Sequence, residues 1–111
     1  MKDDLKKRIM ETVSDNLEEL LEIRTYLYEN PEVGGEEEKA YQILTKTMKE
    51  HGFDVEMDFH KIDHCFRAEY DSKKPGPCIG LTCEFDALPG MGHGCGHDII
   101  ATAPMLPLIH I

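Results

Sequence analysis

The side chains that can do chemistry concentrate in one stretch, Glu84-Phe85-Asp86-Ala87-Leu88-Pro89-Gly90-Met91-Gly92-His93-Gly94-Cys95-Gly96-His97-Asp98. Thiolate sulfur and imidazole nitrogen are the ligands that zinc and other borderline transition metals prefer. Cys95 and His97 flank a glycine, so a bent backbone brings both side chains onto one ion. Glycines at 90, 92, 94 and 96 remove side-chain bulk where backbone and metal must approach closely. Asp86 follows a predicted buried strand, at the end where open α/β sheets place their reactive groups. A carboxylate there either binds the metal or orients a histidine ligand. Two ligands do not complete a tetrahedral site, so the spacing leaves a second reading open, in which Cys95 is a buried thiol without metal.

Other candidates read more simply. His51, His60, His64 and His110 fit surface or helix-end positions, and Glu36-Glu37-Glu38 fits a solvated helix start at the positive end of the dipole. Cys65, Cys78 and Cys83 lie in or beside strand patterns and are expected to pack. The four cysteines form neither a CxxC pair nor a dense disulfide framework, which points to free thiols in a reducing compartment.

Two helices and then strands must position this stretch. Leu5, Ile9, Val13, Leu17, Leu20, Leu21 and Leu27 recur at helical spacing, and Asn30-Pro31 ends that helix. Pro31 to Gly35 is a loop. A second helix is predicted from about Glu36 to His51, with Ala40, Ile43, Leu44, Thr47 and Met48 as its inner stripe and Gly52 just past its end. Alternation at Phe53, Val55, Met57 and Phe59, and again at Phe66, Ala68 and Tyr70, predicts two half-buried strands. Asp71 to Pro77 is a turn rich in breakers. Cys78-Ile79-Gly80-Leu81-Thr82-Cys83 predicts a third strand, buried in a sheet interior. Asp98 is expected to cap a short helix that Pro104 and Pro107 break. The apolar stretch from Met105 to Ile111 suggests a fragment of a larger domain.

Composition excludes several classes. With 12 Lys and Arg against 22 Asp and Glu, the net charge of −10 repels nucleic acid and anionic lipid. No run of 18 apolar residues suits a membrane span, and no signal-like apolar region opens the chain, so the expected compartment is the cytoplasm.

Asp86-Ala87-Leu88-Pro89 followed by His93-Gly94-Cys95-Gly96-His97-Asp98 resembles the M20 metallopeptidases, in particular the amidohydrolase branch with aminoacylase-like and aminobenzoyl-glutamate hydrolase-like enzymes. Tyr26 to Glu32 resembles the family's helix end, with Tyr28 where a histidine is frequent, and Gly35-Glu36-Glu37 and Gly52-Phe53-Asp54-Val55 fall at matching distances. The resemblance covers about residues 20 to 103. It implies an α/β fold, the N-terminal, incomplete portion of a zinc-peptidase-like three-layer domain, with two helices and then mixed-sheet strands. Residues 1–111 would be part of the catalytic domain, and the rest of it and a dimerisation domain would lie beyond.

The resemblance also implies the chemistry: hydrolysis of an amide bond in N-acyl amino acids or dipeptide-like small molecules, with one or two divalent ions, zinc or manganese. Cys95 and His97 match metal ligands, and Asp86 matches the catalytic aspartate held close to the metal. Glu84 stands where other branches place a histidine ligand, and His93 matches a residue behind the ligands. The general-base glutamate and remaining ligands would lie beyond residue 111, so the chain alone is expected to be inactive. Full-length members are expected to be homo-oligomers. A non-catalytic metal-binding module and an inert truncated relic remain as rival readings.

Overall fold

The computed structural model describes residues 1–108, so the expectation for His110 lies outside the described residues. Helix α1 spans Lys2–Glu29 and α2 spans Glu38–Glu50. Strands β1, Asp54–Met57, and β2, Phe66–Glu69, follow, and then the short helices α3, His97–Thr102, and α4, Met105–Leu108. The chain is thus mixed α/β, as its periodicities predict.

α1 ends where the sequence demands, with Asn30 N–H bonded to the Tyr26 carbonyl at 3.0 Å before Pro31 turns the chain. Only its C-terminal half is covered: Leu20, Ile23 and Leu27 are buried, whereas Leu5, Ile9 and Leu17 are exposed. The helical spacing of the leucines marks a core face along all of α1, but that face is buried over this half alone. A helix of 28 residues is ~42 Å long, and the 13-residue α2 covers only ~20 Å of it. α2 turns Ala40, Leu44 and Met48 inward, and Gly52, at φ +86°, ends it with its N–H on the Lys49 carbonyl.

β1 and β2 form an antiparallel pair in which Val55 faces Ala68 and Met57 faces Phe66. Val55, Phe66 and Ala68 pack against the core made by Leu20, Ile23, Leu27, Ala40, Leu44, Met48, Phe53, Ala101 and Met105. The connection is tied to α2 at Tyr41, whose hydroxyl donates to Asp58 Oδ1 (3.1 Å) and accepts from the Asp58 N–H (2.9 Å).

The third predicted strand does not form. Among the described residues, 78 to 83 pair with no strand, and Ile79 and Leu81 are exposed. A strand with an apolar run on both faces needs neighbours on both sides, and among the described residues β1 and β2 pair only with each other. Pro104 separates two short helices, but Pro107 lies inside the second of them, α4, and does not break it, and Met105 folds back into the core at 2% exposure.

Leu44→Ala is expected to cost about 2–5 kcal/mol, because Leu44 is 1% exposed at the centre of the packing. Leu5→Ala, on the uncovered half of α1, should change stability by less than about 0.5 kcal/mol. Urea unfolding reads both as midpoint shifts at constant slope. Equal losses would mean that the N-terminal half of α1 is covered.

Candidate functional site

The loop after α1 sets the position of the chemical stretch. The Glu32 carbonyl accepts the Ala87 N–H at 2.7 Å, and Val33 and Ala87 form a parallel bridge. The Glu32 carboxylate accepts the N–H groups of Ala40 (2.8 Å) and Lys39 (3.0 Å), which lie in the first turn of α2 and lack helical partners. One residue therefore caps a helix and anchors the residue next to Asp86.

The backbone then doubles back. Leu88 and Gly92 pair across a tight turn, Leu88 N to Gly92 O at 2.9 Å, with Gly90 and Gly92 both at φ +69°. Gly96, at φ +82°, opens α3, and its carbonyl accepts from Ile99 and Ile100 at 3.0 Å. Left-handed backbone at these glycines reverses the chain without the penalty of a Cβ.

This reversal returns His97 to Asp86. Its Nδ1 lies 2.9 Å from Asp86 Oδ1 and 3.0 Å from the Asp86 carbonyl oxygen. Both of those atoms only accept, so Nδ1 carries the proton and donates. Nε2 then lies 3.1 Å from Glu84 Oε2. Cys95, an exposed thiol, lies with Sγ 3.9 Å from the Asp86 carbonyl oxygen. The structure thus gathers Glu84, Asp86, Cys95 and His97 around one turn. Asp86 owes its place to the Val33–Ala87 bridge, since residues 78 to 83 form no strand. His93 is buried behind the turn, and its Nδ1 has no hydrogen-bond partner.

Thiol, imidazole and carboxylate are the donors zinc takes, so the chemistry of the set fits a metal. Its number does not complete one: among the described residues, no three His, Cys, Asp or Glu side chains converge closely enough to hold an ion.

Several sequence expectations change. Asp98 is not a cap: it lies inside α3, 2% exposed, with Oδ2 2.9 Å from Arg24 Nε on α1. Cys78 is exposed rather than packed. Cys65 and Cys83 are half-buried, and burial pushes the Cys83 thiol above its usual range. In the glutamate run Glu36 and Glu38 are exposed as expected, and Glu37 is half-buried. Glu37 Oε2 accepts the Gly35 N–H at 2.8 Å, and Glu38 Oε2 meets His64 Nε2 at 2.8 Å. His51 Nε2 meets Glu19 at 3.0 Å and braces α2 against α1. Sequence reasoning missed Glu32 and Arg24. Arg24 left a signal, because a basic residue there interrupts the inner face marked by Leu20 and Leu27.

No protein-family model matches the chain. It is 34% identical over 113 residues to the Xaa-Arg dipeptidase of Homo sapiens, covering 87% of this chain and 25% of that protein. It is 28% identical over 108 residues to the putative amidohydrolase YhaA of Bacillus subtilis, covering 85% and 27%. Against the N-acetyl-L-cysteine deacetylase of Bacillus subtilis it is 29% identical over 99 residues, covering 77% and 23%. The chain spans about a quarter of the length of these relatives. No helix among the described residues is long and apolar enough to cross a membrane.

Two measurements check this geometry. Glu32→Ala should lower stability by about 1–3 kcal/mol and speed exchange of the Ala40 amide, since it leaves helix N–H groups unpaired, whereas Glu32→Gln keeps an acceptor and recovers part of the loss. Iodoacetamide at pH 8 should modify exposed Cys78 and Cys95 faster than Cys83, whose raised pKa leaves less thiolate. Cys83 reacting first would contradict its burial.

Proposed function

We propose that the chain is the N-terminal part of the catalytic domain of a metal-dependent amide hydrolase of the M20 kind, a reading supported by its similarity to an Xaa-Arg dipeptidase, a putative amidohydrolase and a deacetylase. The substrates proposed are small N-acyl amino acids or dipeptide-like molecules, a class to which the relatives' names point: Xaa-Arg dipeptidase and N-acetyl-L-cysteine deacetylase.

The observation that carries this reading is the contact between His97 Nε2 and Glu84 Oε2 at 3.1 Å. With the proton fixed on Nδ1, Nε2 of a neutral ring is a lone pair facing a carboxylate lone pair. Two acceptors that close repel unless a cation, a proton or a metal ion, lies between them.

Cys95 and His97 would hold the divalent ion, zinc or manganese, and Glu84 faces the same nitrogen. Asp86 would do the orienting: its carboxylate fixes the His97 tautomer and turns Nε2 outward. A divalent ion there supplies Lewis-acid polarisation of the amide carbonyl and makes water acidic enough to react near neutral pH.

The test is a cobalt titration read by absorbance. Cys95→Ser should lower affinity by more than the ~10–100-fold that loss of a merely supporting partner costs. Cys78→Ser should leave it unchanged. Equal losses in both variants would sink the ligand assignment. Assayed alone with zinc or manganese, the chain should not hydrolyse N-acetyl amino acids or aminobenzoyl-glutamate, because a catalytic zinc generally needs three protein ligands and an open position. Turnover abolished by Cys95→Ser would show that the chain holds a complete site.

A further inference from the structure

Asp98 is the next residue after His97 and one of the most deeply buried side chains in the molecule. A carboxylate at 2% exposure needs a charge partner, and Arg24 of α1 supplies it, with Nε 2.9 Å from Oδ2. The pair is a close charge contact rather than an aligned hydrogen bond, since Oδ2 has no hydrogen-bond partner. Arg24 is held in turn over the Tyr28 ring, 5.2 Å from its centroid.

α3 is badly equipped to fix its own start. It has six residues, opens on a left-handed glycine and carries no side-chain cap. A helix that short is not stable by itself, so the position of its first turn must be imposed from outside. Two polar tethers reach that turn: His97 to Asp86, and Asp98 to Arg24. The first lies within the glycine-rich stretch itself. The second runs to α1 beside the buried residues Leu20, Ile23 and Leu27.

We propose that Arg24 is a positioning residue for the candidate metal ligand His97, acting through Asp98 to hold the first turn of α3 against α1 so that the imidazole stays aligned on Asp86 and Glu84. The metal part of this rests on the proposed function above, while the positioning of the ring does not. A plain structural brace would instead stabilise the fold without setting where the ring lies.

The experiment uses the whole chain with ¹⁵N-labelled histidine and no added metal, and reads the ring nitrogen resonances of His97 in Arg24→Met, Asp98→Asn and the double variant. Arg24→Met should move the His97 resonances and leave those of His51 and His64 in place. The double variant should regain thermal stability, because no unpaired buried carboxylate remains, yet keep the displaced His97 resonances. Should Arg24→Met alone fail to fold, the double variant carries the measurement. His97 resonances identical to those of the parent chain, with only the melting temperature lowered, would overturn the proposal. A parallel cobalt titration should show an affinity loss of about tenfold or more in the folded variants. If the parent chain binds no cobalt, the metal reading fails by itself, and the His97 spectra still decide the role of Arg24.

Discussion

The Ala87 N–H has to find an acceptor once the chain before it forms no strand, and it finds the carbonyl of Glu32 at 2.7 Å. That single bond joins the helical part of the molecule to its chemical part. Glu32 is itself held because its carboxylate satisfies two N–H groups at the start of α2, groups that a helix cannot satisfy internally. Asp86 sits one residue before the anchored position. Its carboxylate and carbonyl face His97 because the segment next to it is pinned and the glycine turn beyond is free to reverse.

The same segment holds the far end of the site. Arg24 lies near the end of α1 and Glu32 just past it, with buried Leu27 between them at 1% exposure. One reaches Asp98 and the other Ala87, so both ends of the stretch that carries Cys95 and His97 are fastened to one short piece of chain. The stretch between is then a closed loop whose ends need no further ordering, which limits the entropy lost in bringing Cys95 and His97 back to Asp86.

Helix and hairpin patterns were legible because they are local. Ala40, Leu44 and Met48 at helical spacing, and Val55 against Phe66 and Ala68 in alternation, needed only the pleat and pitch of their own elements. Residue type and spacing singled out Asp86, Cys95 and His97 only as candidates, with a buried thiol left open for Cys95, and the closeness of Asp86 to His97 depends on the glycine turn between them. What the pattern could not carry was partnership. The run from Cys78 to Cys83 has the composition of a strand interior, but pairing is a property of neighbours, and none among the described residues lies beside it. Likewise Leu5, Ile9 and Leu17 mark a face that favours burial without saying whether anything is long enough to cover it. Glu32 and Asp98 show the same limit for polar groups. Their roles rest on residues 8 and 74 positions away, and no local rule connects them.

Charge explains why a cation belongs at the turn on the proposed reading. Glu84 and Asp86 stand on opposite nitrogens of one imidazole, and a Cβ on Gly34 would lie 3.9 Å from both Asp86 Oδ2 and Glu37 Oε1. Three carboxylates thus approach a small region of a chain whose net charge is already −10. Arg24 is spent on Asp98, which lies on the buried side of α3. Its charge neutralises the one acid of the motif that faces inward and leaves the others uncompensated. A buried acid next to a ligand would otherwise compete for the same positive charge. Pairing Asp98 with α1 therefore separates two tasks that adjacent residues would confuse: residue 98 holds the backbone, and residue 97 remains free to meet whatever cation the outward carboxylates draw in.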